Sequence, residues 1–394
     1  MILTWHRKEV TAPVSNKDEI MEEGISLFDP IFIKKEGVKM KWIKGNSTSI
    51  FVVIFLFFIG MIMITFGAPL VNAQAPAKVY KWRMQSIDPP ALIGPQITQK
   101  AFCERVKKMS NGRVDISLFT AGQLTPTLEI VGSLAKGTVD ISYSSSVYYT
   151  GSIPEANIDL VTLPPQMLKT LQDALQVYWY MGVDDLIREG YAEQGVYYLG
   201  SLFFTDPNTH WSKKPMRGVA DLKGHKIRGY GYYAKTLAKL GASPTFIPHE
   251  EVYTALAQGV IDGSMTAGSY YKRFKYYEVA PYYYLPGFAP VWSMCVIASL
   301  KSWNELPDDL KAILKEAFIS FAIDHQQRTW WEHEQMVQEL PKLGATLITW
   351  PDSEVEKLRE AGISFLPEIA KKGPRCAKGL KIIEDYMKMK GYIK

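Results

Sequence analysis

Arg228 is the residue whose type and position best suit the binding of a small anion. It ends a predicted strand over residues 225–229, and Gly229 and Gly231 follow it closely. Strand ends that face a crevice bind ligands in open α/β sheets, and glycine lets a ligand approach the main chain. A guanidinium holds a carboxylate through two charge-assisted hydrogen bonds, worth roughly 1.5–3 kcal/mol each. The alternative is a surface arginine in a salt bridge.

Aromatic and polar residues supply the other candidate ligand contacts. Ten of the 23 residues from 270 to 292 are aromatic, which provides apolar walls and hydroxyls that can orient a polar ligand. We expect most of these rings to fill the core, and only one or two, together with Trp292, to contact a ligand. The remaining candidates lie at predicted strand ends and in loops: Gln85, Tyr148, Tyr149, Asn208 and Thr266.

Motifs of common hydrolases and metal sites are missing from the sequence. The residues around His249 and His333 lack the HExxH spacing of a zinc site, and no GxSxG nucleophile motif occurs. The sequence has three cysteines, Cys103, Cys295 and Cys376, and their spacing matches no metal-binding motif. We expect them to be buried thiols, although an oxidising compartment would permit one disulfide. We therefore expect a binding protein without a catalytic set or a cofactor. A secreted hydrolase would need catalytic residues that the sequence does not offer.

Two segments of the chain repeat one pattern. Residues 129–142 have the sequence EIVGSLAKGTVDIS, and residues 251–264 have the sequence EVYTALAQGVIDGS. Each copy predicts a short helix that ends at a glycine and leads into a strand. Two copies predict two similar lobes with a cleft between them; the alternative is a chance match of a common pattern. We expect the shared glycine and aspartate to be structural, and the residues that differ between the copies to select the ligand.

The remaining elements also alternate between strand and helix. Pro307, followed by Asp308 and Asp309, suits the first turn of a long helix that runs to about Leu340. Residues 204–211 are predicted as a loop. Further strands are predicted over 79–84, 113–119, 195–203 and 294–298, and further helices over 96–109, 168–182, 352–366 and 377–390.

Residues 40–73 have the pattern of a secretory signal peptide. Lys41 and Lys44 precede an apolar run over 51–67, and small residues lead to a cleavage point after Ala73. The run is long for such a signal, so an uncleaved membrane anchor is the alternative. Both alternatives place the bulk of the chain in the periplasm.

Residues 1–39 are expected to be a mis-assigned leader extension, with Met40 as the true start. Lys35, Glu36 and Gly37 can be encoded by a purine-rich run that resembles a bacterial ribosome-binding site, two codons before Met40. The segment has mixed charge and no apolar periodicity, which is unusual ahead of an export signal.

The charge of the mature chain excludes one class of partner. Residues 74–394 carry 37 Lys and Arg against 33 Asp and Glu, a mildly basic balance. They contain no dense basic run interleaved with aromatic residues, which nucleic-acid-binding surfaces usually have. Nucleic acid is therefore not an expected partner.

Seven short segments, in order from residue 112 to residue 307, carry a resemblance to a known family. They include 121–124 (AGQL), 221–228 (DLKGHKIR) and 303–307 (WNELP). The chain resembles the DctP-type extracytoplasmic solute receptors of TRAP transporters. The resemblance implies an α/β fold of the two-lobed periplasmic-binding-protein type, with hinge strands and a long helix that spans both lobes. The implied lobes are 74–203 plus 293–333 (lobe I) and 204–292 plus 334–394 (lobe II).

The resemblance also implies a function. Arg228 is expected to clamp a carboxylate of a small organic acid, which the receptor delivers to the TRAP permease membrane subunits. The alternative is a receptor whose closed form is sensed by a membrane signalling protein. In a related 2-oxo-acid-binding branch, an acidic–aromatic pair helps to bind a metal ion, but Met265 and Thr266 stand at those positions here. Because a hard cation loses a natural ligand there, we expect metal-independent binding of an organic acid with an apolar portion.

Overall fold

The computed structural model describes residues 78–90, 93–247 and 251–393, apart from the side chains of residues 93–95 and Asn208. The predicted leader (1–39) and signal peptide (40–73) lie outside the described residues. Within the described residues, no helix combines the length and the apolar character that crossing a bilayer requires.

Eleven strands in the described part of the chain form two sheets. The first sheet has the order β2-β1-β3-β10-β4 and the second has the order β11-β9-β5-β8-β6-β7. The strands of the first sheet are β1 (Tyr80–Ser86), β2 (Val114–Phe119), β3 (Ile141–Ser144), β4 (Val196–Phe204) and β10 (Trp292–Ser299). Those of the second are β5 (Asn208–Ser212), β6 (Lys226–Arg228), β7 (Ser243–Thr245), β8 (Gly263–Ala267), β9 (Tyr282–Leu285) and β11 (Thr346–Thr349).

The two sheets share one local topology. In the first, β1 pairs in parallel with β2 and β3; in the second, β6 pairs in parallel with β7 and β8. An antiparallel strand follows on the side of β3 and of β8, namely β10 and β5. The chain passes from the first sheet to the second after β4, back to the first after β9, and to the second again after β10. The prediction of a two-lobed α/β fold is therefore confirmed, while the exact lobe boundaries stay predictions.

Twelve α-helices cover the sheets in the described part of the chain. They are α1 (Ile93–Met109), α2 (Ile130–Lys136), α3 (Leu171–Leu175), α4 (Val183–Ala192), α5 (Gly231–Lys239), α6 (Val252–Ala257), α7 (Tyr270–Arg273), α8 (Leu300–Asn304), α9 (Asp308–Glu339), α10 (Asp352–Ile363), α11 (Leu366–Ala370) and α12 (Pro374–Met389).

Helix α9 is the predicted long helix, and it packs on both sheets. Pro307 precedes its first turn, where Asp308 and Asp309 face the positive end of the helix dipole. Towards its start, Leu314 and Phe321 join the apolar core of the first sheet. Towards its end, Met336 joins a core of the second sheet. One helix thus spans the two halves of the protein.

The repeated segments form the same structure in each half. Helix α2 leads through Gly137, with a left-handed φ of 72°, into β3, and α6 leads through Gly259, with φ 74°, into β8. The Asp140 carboxylate accepts the main-chain N–H of Arg83 on β1 at 2.8 Å. The equivalent Asp262 carboxylate accepts the N–H of Lys226 on β6 at 3.0 Å. The shared glycines and aspartates therefore have the structural roles that the sequence predicted.

Two sequence predictions differ from the structure. The loop predicted over 204–211 is wrong from Asn208 onward, because β5 pairs there with β8 and β9 and fully buries Trp211. The C-terminal helix α12 was grouped with lobe II, but its apolar residues join a core of the first sheet. Its Tyr386 hydroxyl also donates to the Asp173 carboxylate at 2.8 Å.

The three cysteines are buried thiols without a disulfide.

Candidate ligand-binding site

Arg228 lies at the end of β6, where the chain leaves the second sheet. Its main chain is in register with Thr245 on β7 and with Ser264 on β8. Gly229 follows, and Gly231 begins α5 with a positive φ of 56°. A Cβ on Gly231 would lie 3.2 Å from the carbonyl oxygen of Thr162, so glycine lets α5 approach the loop after β3 closely.

The guanidinium of Arg228 is held by main-chain groups and aromatic rings. Nη1 donates to the carbonyl of Met265 at 2.8 Å, and Nε donates to the carbonyl of Ile247 at 3.1 Å. The guanidinium carbon lies 5.3 Å from the ring centroid of Tyr230 and 6.0 Å from that of Phe246, both within the range of a cation–π contact. These contacts fix the orientation of the side chain without neutralising its charge.

No carboxylate in the described part of the chain forms an ion pair with Arg228. The residue is only 6% exposed. One other arginine of the described residues, Arg359, is buried to a similar extent. Unlike Arg228, it forms an ion pair, with Glu356 one turn earlier on α10. A buried cation without an internal counter-charge is costly, because burial removes the water that would solvate it. Arg228 is therefore suited to receive an anion from outside the protein.

A small cavity lies next to Arg228, between the two sheets. Its walls come from residues 160–168, which follow β3, from Tyr233 on α5, from Met265 on β8 and from Trp292 at the start of β10. Its volume for the centre of a water-sized sphere is about 10 Å³, room for about one water molecule. Met265 connects the cavity with Arg228, since it lines the cavity and its carbonyl accepts a hydrogen bond from Arg228.

Gln85 does not present its side chain to this site. Its amide oxygen accepts the N–H groups of Leu124 and Thr125, both at 2.9 Å, and its amide nitrogen donates to the carbonyl of Thr125 at 2.8 Å. The side chain is fully buried. Gln85 therefore anchors the loop before α2 in the first lobe, a role that differs from the predicted ligand contact.

Tyr148 and Tyr149 lie beyond β3 in different surroundings. Tyr149 is 2% exposed, and its hydroxyl shares a hydrogen bond of 2.6 Å with Ser144. Burial raises the pKa of this hydroxyl, and the ring packs edge-on against Tyr191. The side chain belongs to the core of the first lobe. Tyr148 is half-buried, so of the two tyrosines it remains the candidate for a ligand contact.

The other three predicted residues lie on strands β5, β8 and β10. Trp292 lines the cavity, stacks on Phe204 at 4.6 Å and donates its indole N–H to the carbonyl of Asp206 at 2.7 Å. Thr266 is half-buried on β8, one residue after Met265. Asn208 begins β5. Of the seven predicted residues, Trp292 is the one that lines the cavity.

A polar cluster that the sequence did not reveal joins the two lobes near α9. Asp88, just after β1, accepts the side-chain N–H of Gln99 on α1 at 2.7 Å and is hydrogen-bonded by Tyr270 on α7. Burial raises the pKa of Asp88 to about 6, although Gln99 and the charge of Arg273 oppose this. Burial likewise raises the pKa of Asp206 to about 7, against a hydrogen bond from Ser269. No motif spacing links these residues, so only the fold brings them together.

The described residues do not offer a site for a hard metal ion beside Arg228. No group of three or more His, Cys, Asp or Glu side chains in the described ranges is arranged to hold one. The neighbouring position on β8 is Met265, whose thioether packs in an apolar core. Thioethers are poor ligands for Na⁺, Mg²⁺ or Ca²⁺, which prefer oxygen donors.

A family model and a curated relative match most of the described chain. The model for bacterial extracellular solute-binding protein, family 7 (DctP), matches residues 95–372. A monocarboxylate 2-oxoacid-binding periplasmic protein of Nostoc sp. strain PCC 7120 is 32% identical over 250 residues, which are 63% of this chain and 68% of the relative.

Solved structures with the same fold cover the chain over a similar range. A TRAP periplasmic solute-binding protein of Pseudoalteromonas atlantica, with bound sodium and pyruvate, is 30% identical with a TM-score of 0.69. The match covers 79% of this chain and 95% of that one. A TRAP periplasmic solute-binding protein of Colwellia psychrerythraea, with bound calcium and pyruvate, is 28% identical with a TM-score of 0.70 and covers 80% of this chain and 96% of that one.

Proposed function

Because the chain belongs to family 7 of the bacterial extracellular solute-binding proteins, the DctP family, we propose that it captures a small organic acid anion for a TRAP-type secondary transporter. The anion binds between the two lobes, with its carboxylate on Arg228. The family consists of solute receptors rather than enzymes, so the protein binds and releases its ligand unchanged.

The observation that carries this proposal is the buried charge of Arg228, which has no acidic partner among the residues that the structure describes. Its guanidinium is oriented by the carbonyls of Ile247 and Met265 and flanked by two aromatic rings. No carboxylate in the described ranges forms an ion pair with this guanidinium. A ligand carboxylate supplies the missing negative charge and forms charge-assisted hydrogen bonds that are about twice as strong as neutral ones.

The ligand is proposed to be a monocarboxylate with an apolar portion. The relative from Nostoc is named for monocarboxylate 2-oxo acids, and the two structural relatives contain pyruvate. Those two relatives also contain sodium or calcium, whereas Met265 and Thr266 offer this chain no carboxylate beside Arg228. We therefore propose that binding here does not require a metal ion.

The receptor is proposed to act in the periplasm, after cleavage behind Ala73 or attached through residues 51–67. There it delivers its ligand to the permease subunits, which are driven by an ion gradient. The second candidate function, sensing for a membrane signalling protein, uses the same binding site. Permease genes beside the receptor gene favour transport, and a sensor-kinase gene favours signalling.

A thermal-shift screen tests the proposed ligand class. The purified protein is heated with 2-oxo acids, hydroxy acids, fatty acids and aromatic acids, each paired with its uncharged amide. A ligand at one hundred times its dissociation constant stabilises the folded protein by about 2.7 kcal/mol. Stabilisation by at least one acid, and not by its amide, is the expected result. Stabilisation by no acid, or by the amides alone, contradicts the proposal.

A further inference from the structure

We propose that the cavity bordered by residues 160–168, Tyr233, Met265 and Trp292, called here the Tyr233 cavity, receives the end of the ligand that is remote from its carboxylate. The hydroxyl of Tyr233 hydrogen-bonds an oxygen atom on that end. The inference rests on the proposed function and narrows its ligand class to short monocarboxylates that carry an uncharged polar group away from the carboxylate.

The hydroxyl of Tyr233 is a buried polar group that lacks a partner among the residues that the structure describes. The residue is 2% exposed, and its hydroxyl forms no hydrogen bond with any residue that the structure describes. Buried polar groups in folded proteins nearly always have a partner, so a ligand oxygen or a water molecule suits this position. The neighbouring Tyr232 differs, because its hydroxyl donates to Glu368 at 3.2 Å.

The remaining cavity walls are uncharged and mostly apolar. Leucine, valine, proline, methionine, alanine and tryptophan side chains form them. The amide of Gln166 is also present, but its nitrogen already donates to the carbonyl of Gly287 at 2.7 Å. A second carboxylate or an ammonium group would lose its solvation in such surroundings without gaining a counter-charge. The Tyr233 cavity therefore disfavours dicarboxylates and amino acids at this end of the ligand.

The position of the cavity connects it to Arg228 and to lobe movement. Residues 160–168 follow β3 of the first sheet, whereas Tyr233 and Met265 belong to the second. The main-chain N–H of Tyr232 donates to the carbonyl of Thr162 at 3.3 Å, so the two walls touch directly. The cavity now has room for about one water molecule. Because its walls come from both sheets, separation of the lobes widens it.

Matched pairs of acids test the inference by isothermal calorimetry. The probes are butanoate, pentanoate and hexanoate, each with and without a terminal hydroxyl group. We expect at least one hydroxylated acid to bind the wild-type protein about three- to tenfold more tightly than its plain partner, the effect of one added hydrogen bond. In Tyr233→Phe, that ratio falls to about one while the affinity for the plain acid stays within about twofold. Tyr232→Phe, the matched control on the same helix, keeps the wild-type ratio.

Three results overturn the inference. The wild-type protein binds none of the six acids, it shows no preference for a terminal hydroxyl, or Tyr233→Phe retains the preference. In the last two cases the cavity holds only a structural water, and the carboxylate site stands. Failure of the proposed function is recognised separately, because the broader thermal-shift screen then finds no acid that stabilises the protein. Thermal melting of each variant without ligand shows that it is folded.

Discussion

Gln85 and Arg228 occupy equivalent positions in the two sheets, on the strands that pair with the repeated segments. Gln85 lies in register with Ser142 between β1 and β3, and Arg228 lies in register with Ser264 between β6 and β8. In the first lobe the Gln85 amide is fully engaged by main-chain groups of residues 124–125. In the second lobe the equivalent side chain carries a buried charge that pairs with no carboxylate of the described ranges. One position thus has a structural role in one lobe and a proposed binding role in the other.

Replacement of Arg228 by alanine should remove ligand binding. In Arg228→Ala, the thermal shift caused by an acid that stabilises the wild-type protein should disappear, because the carboxylate loses its counter-charge. The unliganded variant should still melt cooperatively. Arg359→Ala is the matched control, since it removes an equally buried arginine that pairs with Glu356. It should lower the melting temperature and keep the ligand response. Retained affinity in Arg228→Ala would reject the proposed clamp.

Replacement of Gln85 should affect stability rather than binding. Gln85→Ala leaves the N–H groups of residues 124–125 buried without acceptors, and we expect a loss of about 2–3 kcal/mol in the free energy of unfolding. Ligand affinity should change less than about twofold. Urea denaturation and calorimetry measure the two quantities. The control is Gln123→Ala on the exposed turn nearby, where one hydrogen bond of 2.7 Å to Thr120 is lost. If Gln85→Ala weakens binding strongly at unchanged stability, the predicted ligand contact was correct.

Removal of divalent metal ions should leave ligand binding intact. The expected cause is the absence of carboxylate ligands at Met265 and Thr266 on β8. The affinity for an acid found in the screen should be the same before and after dialysis against EDTA, and in sodium-free buffer. A loss of binding that calcium or sodium restores would show that a cation is part of the site.

Neutralising Asp206 should stabilise the protein most at alkaline pH. Burial raises the pKa of Asp206 from 3.8 to about 7, so the folded state holds a proton that the unfolded state has released. The wild-type protein therefore loses stability as the pH rises from about 4 to 7, on the order of 2–4 kcal/mol. Asp206→Asn should escape this loss, and its advantage over wild type should grow between pH 5 and pH 8. The surface control Asp385→Asn should show no such growth.

Replacing His333 should reduce destabilisation by acid. Burial lowers the pKa of His333 from 6.5 to about 4, so the unfolded state binds a proton before the folded state does. The wild-type protein then loses stability as the pH falls below 6.5, by on the order of 2–3 kcal/mol at pH 4.5. His333→Gln keeps a polar partner for the Tyr283 hydroxyl, which lies 2.9 Å from Nε2. Its unfolding free energy should fall less between pH 6.5 and pH 4.5, and equal slopes for both proteins would contradict this.

The lobes and the long helix could be predicted because their signals are local or repeated. A glycine after a short helix and an aspartate before a strand mark each copy, and Pro307 with two acidic residues marks the start of α9. Strand β5 was missed because its strand character comes from pairing with β8 and β9, not from its own polar sequence.

The candidate site was predictable only in part. Arg228 was found because its position follows from a strand end. The burial of Tyr149 and the engagement of Gln85 depend on side-chain directions, which strand spacing does not determine. Tyr233 was missed for the same reason, since the lack of a hydrogen-bond partner among the described residues is a property of its surroundings. The group around Asp88 and Asp206 combines residues more than one hundred positions apart in sequence, and no local pattern relates them.

The placement of β10 in the first sheet has a consequence for how the chain folds as it is made. β10 (Trp292–Ser299) is the strand that joins β3 to β4, so the first sheet has a gap until residue 299 is available. By then five of the six strands of the second sheet have already been synthesised. Neither lobe is a continuous stretch of sequence, and closing the gap pairs β10 with residues that lie 88 to 157 positions earlier in the chain, which slows folding. The first sheet therefore cannot be completed before most of the second sheet has been synthesised.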